Sequence, residues 1–141
     1  MFSKILVAVG SPDDAHETVP VVTGLAKAFD STVLVVHMRA RVVTSVATLE
    51  KESIPESFRF GEDVAQTLRE AGVKATSDIE SHRPERLAEF ILEKAEEFGA
   101  ELVVVGSHHP HGLSDRMFGD LGKRLVHGTK CPVLMMPGSH D

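Results

Sequence analysis

The sequence predicts an α/β fold: five parallel strands in the order 3-2-1-4-5, with helices on both faces of the sheet. Short, almost wholly apolar runs (5–9, 33–36, 102–105 and 133–136) alternate with longer segments whose apolar residues recur at helical spacing. Strands apolar on every residue are buried on both faces, as in a parallel sheet enclosed by helices. With right-handed crossovers and the most apolar strands (one, two and four) at the centre, the winding reverses between strands one and four.

Taken in order, Ile5-Leu6-Val7-Ala8-Val9 forms the first strand (4–9), halted by Gly10-Ser11-Pro12-Asp13-Asp14. Asp13 or Asp14 is placed to cap the next helix, where acidic groups meet its positive end. Val19, Val22, Leu25, Ala26 and Phe29 give that helix an apolar face. The second strand covers 32–38. Residues 38–57 mix Arg39, Arg41 and Lys51 with Val42, Val43, Val46 and Leu49, a pattern that fits a long loop or a short helix. Phe60, Val64 and Leu68 mark a helix over 58–70, stopped by Ala71-Gly72. The alternating stretch 73–79 reads as an edge strand with one wetter face. Pro84 opens a third helix, with Leu87, Phe90, Ile91 and Ala95 on one side and Glu93, Glu96 and Glu97 on the other, ended by Gly99. The fourth strand (101–106) stops at Gly106, a loop with three histidines follows, Gly119 opens the last helix, and the fifth strand covers 132–136. The core expected from these elements is Leu6, Val7, Val33, Val35, Val103, Val104, Val133 and Leu134.

At 141 residues the chain reads as one domain, 1–141. Its net charge of −6 argues against nucleic-acid binding, which needs a basic face, and it has no Trp or Tyr to stack on bases. No apolar run is long enough for a membrane span. One cysteine, Cys131, excludes an internal disulfide and suits a reducing compartment; with no signal peptide evident, a cytoplasmic location is expected. Cys131 precedes a strand proline and reads as a small core residue. Ser107 lacks a Gly-x-Ser-x-Gly setting, and no P-loop motif is present. His108, His109 and His111, with His37 at the end of the second strand, invite a metal reading, but their spacing is not that of a helical zinc pair.

The loops after Val9 and Val105 meet where the winding reverses, which is where such sheets bind ligands. The run ILVAV at 5–9, Pro84, LVVVGS at 102–107, Gly119 and CPVLMM at 131–136, in this order and spacing over essentially the whole chain, resembles the universal stress protein family. The resemblance implies a flavodoxin-like three-layer sandwich, similar in architecture to adenine-nucleotide hydrolases, and a homodimer paired through the final strands. It also implies a stress-response role without enzyme activity, at most a weak ATPase, and an unknown signalling partner. ATP or AMP is the candidate ligand, bound at the loop 106–120.

The nucleotide-binding branch carries Gly-x-x-Gly, nine residues, then Gly-Ser or Gly-Thr. Here Gly106 and Gly119 match, while His109 and Asp120 replace the second glycine and the hydroxyl residue. Gly10 stands where the family has an acidic residue, and Met38 falls on the adenine side. The implied contact set is Ala8, Val9, Gly10, Met38, Gly106, Ser107, His109, Gly119, Asp120 and Leu121. With Gly119 opening a helix, Asp120 would put a carboxylate at the phosphate-facing end. Two like charges about 4 Å apart are opposed by about 4 kcal/mol at an effective dielectric of about 20. Arg39, Arg41, Arg116, Lys123 and Arg124 are the cations available to compensate. The expectation is therefore weak or lost ATP binding, with adenine-nucleotide binding as the alternative and metal binding by the histidine loop as a third reading.

Overall fold

The computed structural model describes residues 1–43, 48–50, 53–106 and 115–136. Its elements are β1 (Lys4–Ala8), α1 (Pro12–Phe29), β2 (Thr32–Val43), β3 (Thr48–Glu50), α2 (Ile54–Glu70), β4 (Lys74–His82), α3 (Leu87–Phe98), β5 (Leu102–Val105), α4 (Asp115–Gly128) and β6 (Val133–Met135). Five parallel strands lie in the order β4-β2-β1-β5-β6, the 3-2-1-4-5 winding expected.

Alternation along the strands divides the core into two layers. Ile5, Val7, Val33, Val35 and Val104 pack with Val22, Ala26, Val64 and Leu68 of α1 and α2. Leu6, Ala8, Val36, Met38, Val103 and Val105 pack with Phe90, Ile91, Leu121 and Leu125 of α3 and α4. Of the expected core, Val133 and Leu134 are only half-buried, because β6 is an edge strand flanked by β5 alone among the described strands.

Several boundaries differ from the sequence reading. Residues 38–57 are not one irregular loop: β2 continues to Val43, and β3 pairs with it antiparallel, Val42 opposite Leu49. From Met38 to Val42 apolar and basic residues alternate along β2, so that part of the mixture follows the two-residue period of a strand. The helix expected at 58–70 starts at Ile54, capped by Ser53, whose Oγ accepts from the Glu56 amide at 3.2 Å. The cap of α1 is Ser11 rather than Asp13 or Asp14; its Oγ accepts from the Asp14 amide at 3.2 Å. Pro84 opens a short 3₁₀ turn (Pro84–Arg86) that feeds α3. Gly99 closes α3 in the left-handed conformation, φ 73°, which a Cβ would disfavour. The last helix begins at Asp115, so Gly119 lies inside it rather than opening it.

The edge strand β4 is guarded by charge, as exposed edges require. Lys94 of α3 reaches Asp78 at 2.8 Å and also bonds Glu80, and His82 Nε2 lies 2.9 Å from Glu80 Oε1. The Lys94 ammonium holds the Glu80 carboxyl below its ordinary value of 4.5; Asp78 and Glu80 in turn raise Lys94 above its ordinary 10.5. A depressed carboxyl stabilises the fold above its unfolded value and loses that contribution as pH falls through its folded value. Urea midpoints measured at successive pH values below 4.5 should therefore fall less steeply for Glu80→Gln than for the unaltered chain. Equal slopes would show that this cluster does not set the acid response.

Candidate functional site

The ends of β1 and β5 open a crevice beneath α3 and α4. Ala8, Val9 and Gly10 line it from the first strand, Val36 and Met38 from β2, and Val105 from β5. Leu87, Phe90 and Ile91 of α3 and Leu121 of α4 form the opposite wall. The cavity between these walls measures about 20 Å³. That inner space is about the size needed for one water molecule.

Among the described residues, one buried polar side chain lines this crevice. Asp14, in the first turn of α1, is 3 % exposed. Its Oδ2 accepts from the Gly10 amide at 2.9 Å. A Cβ on Gly106 would collide with the same carboxyl group, so Gly106 is the residue that lets Asp14 sit between the two strand ends. Beside it, the Val9 carbonyl accepts from His37 Nδ1 at 2.8 Å, which fixes that ring's tautomer. Two backbone groups at the end of β1 are thus already engaged by the chain's own side chains.

Of the contact set drawn from the sequence, the structure gathers Ala8, Val9, Gly10, Met38 and Leu121 around the crevice, with Gly106 against Asp14. Ser107 and His109 lie outside the described residues. Asp120 is not at a helix start: it is exposed inside α4 and lines an adjoining groove with Pro84, Glu85, Ala88 and Arg124, which shares Leu87 and Leu121 with the crevice. Successive helical residues point about 100° apart. With Leu121 turned inward and 3 % exposed, Asp120 lies about a quarter turn round the helix from it, exposed beside the crevice rather than in its lining. Asp120 is therefore not the carboxylate at a helix start that the sequence suggests, and the acidic side chain lining the crevice is Asp14.

The sequence reading did not place Asp14 in the site. It saw Asp14 as a cap, and only the four-residue return to Gly10 hinted otherwise. Phe90 and Ile91 were visible as an apolar helix face but not as a crevice wall.

The remaining candidates fall elsewhere. His37 is buried and packs edge-on to Phe60, with ring centroids 4.8 Å apart. No group of three or more His, Cys, Asp or Glu among the described residues is disposed to hold a metal ion; the three loop histidines lie outside them. Arg39 is buried and donates to Ser81 Oγ at 3.0 Å, while Arg124 pairs with Glu89. Cys131 is half-buried, 3.3 Å from Thr129 Oγ1. No helix among the described residues is long and apolar enough to cross a membrane.

Comparison with known proteins meets this geometry from outside. The chain is 29% identical over 150 residues to Universal stress protein YxiE of Bacillus subtilis, covering 96% of this chain and 99% of that protein. It superposes on a universal stress protein family structure from Burkholderia pseudomallei with a TM-score of 0.73 at 23% identity, covering 97% of each chain. A universal stress protein solved with cAMP gives a TM-score of 0.69 at 17% identity, covering 97% of this chain and 98% of that one. One from Archaeoglobus fulgidus solved with dAMP gives 0.68 at 20%, covering 97% and 100%. The family model of the universal stress protein family matches residues 1–137, the whole described sheet and every helix around the crevice, and the chain belongs to that family.

Proposed function

We propose that this chain is a non-enzymatic stress-response regulator that acts as a homodimer, and that its crevice binds ATP weakly or not at all. The observation that carries the ligand part is Asp14. Its carboxylate occupies the gap between Gly10 and Gly106, at the mouth where a phosphate chain would approach. A phosphate held about 4 Å from it would be opposed by about 4 kcal/mol at an effective dielectric of about 20, roughly a thousandfold in affinity. Among the described residues lining the crevice none is cationic, and Asp14 is the one titratable side chain. That lining supports a binding role over a chemical one, which would need a placed nucleophile and base.

Titration calorimetry with MgATP is expected to give a dissociation constant well above the micromolar range, with no phosphate released on prolonged incubation. A micromolar constant, or turnover abolished by a change in the crevice, would overturn the reading. The similar structures solved with cAMP and with dAMP favour a second reading, in which an adenine monophosphate is the ligand.

A further inference from the structure

The last turns of α3 and α4 border a groove of about 410 Å³ that shares no lining residue with the crevice. Its floor is apolar: Ala95 is buried, and Leu92 and Ala100 are half-buried. Both helices end at it, α3 just before Gly99 and α4 at Gly128. A helix C-terminus carries roughly half a negative charge, so two such ends meet here. One wall adds carboxylates. Glu89, Glu93 and Glu96 recur at i, i+4 and i+7, one stripe of α3, and Lys130 is the cation among the described lining residues.

That stripe runs against the electrostatics of its own helix. Carboxylates near a helix C-terminus are unfavourable, and so are like charges three or four residues apart. α3 nevertheless has no basic residue in its last turn. Arg86 offsets Glu93 at 3.2 Å, and Lys94 lies 3.5 Å from Glu97. Glu96 is exposed and in no ion pair among the described residues. An apolar floor beside negative charge that the fold leaves uncompensated is complementary to an amphipathic helix with a basic face.

We propose that this groove docks a basic amphipathic helix of a partner protein. Its apolar face rests on Leu92, Ala95 and Ala100, and its Lys or Arg side chains meet Glu93 and Glu96. Nothing in this docking depends on what the crevice binds.

The test is fluorescence anisotropy on the full chain with a labelled amphipathic peptide that carries leucine along one helical face and lysine along the other. Two control peptides replace every lysine by glutamate or every leucine by serine. The first peptide is expected to bind, and each control to bind at least about tenfold more weakly, which is about 1.4 kcal/mol. Glu96→Lys should weaken the first peptide at least about fivefold, because an attraction at the rim becomes a repulsion. The same variant should keep or raise the melting temperature, since a cation suits a helix C-terminus. Asp63→Lys makes the same change of charge at an exposed position of α2 outside the groove. Screening by salt should keep its affinity within about twofold of the unaltered chain. Amide resonances that move on adding the peptide should centre on Leu92, Ala95, Ala100 and Thr129. Equal binding of either control peptide, an equal loss in Asp63→Lys, unmoved groove amides, a lowered melting temperature in Glu96→Lys, or no binding of the first peptide would each overturn the proposal.

Discussion

Phe90→Ala is expected to lower the stability of this chain by about 3–5 kcal/mol and its melting temperature by roughly 10–17 °C. Phe90 is 1 % exposed and heads the fully buried side chains in volume. It sits on α3 over the core layer formed with Leu6, Val36, Met38 and Val103, and its ring lies 5.5 Å from that of His82. Removing it forfeits the transfer of an aromatic ring from water and leaves a void that the rigid sheet beneath cannot close. The void would join the crevice, because Phe90 is also part of its wall. Phe90→Leu, which leaves a smaller void, should lose markedly less. Urea unfolding curves measure both. A loss below about 1 kcal/mol for the alanine variant would mean that the site collapses and that α3 is not anchored by this ring.

Met135→Pro should convert a dimer into a folded monomer, halving the mass seen by light scattering. In the pairing of β6 with β5, the Pro132 carbonyl accepts from Val103 and the Met136 amide donates to Val105. Hydrogen bonding toward one neighbour recurs every second residue of a strand, so Leu134 also faces β5 while Val133 and Met135 turn their backbone groups to the open edge. Proline at such an outward position removes an edge donor and leaves the inner ladder intact. Met135 is 37 % exposed, an apolar side chain on an edge that invites a second strand. A two-fold partner places the same residue on both chains, so one substitution acts twice. If Met135→Pro keeps the doubled mass, the final strands are not the contact. If the unaltered chain is a monomer at tens of micromolar, the homodimer proposal itself fails.

The architecture was legible because it rests on properties of consecutive residues. Continuous apolarity at 5–9, 33–36 and 102–105 marked buried strands, and the spacing of Leu87, Phe90, Ile91 and Ala95 marked the helix above them. Chirality and short connections then left few ways to order five parallel strands. The edge character of β4 was readable for the same reason, since its polar alternation is local. The β3 hairpin was missed because its three residues gain strand structure only by pairing with an extension of β2.

The candidate site divides along the same line. By itself the sequence determined the sheet order, the family, and the crevice residues that follow directly from strand ends, namely Ala8, Val9, Gly10 and Met38. Only the tertiary structure decided which carboxylate lines the crevice. Asp14 and Asp120 are both acidic residues near glycines in the sequence, and their roles depend on where each helix starts and how it is rotated on the sheet. Packing of Leu121 and Leu125 against the sheet turns Asp120 outward. The close approach of α1 to Gly106, far away in the chain, buries Asp14 between two strand ends. Helix phase and helix-to-strand contact are fixed by packing between distant segments, which local residue patterns do not encode.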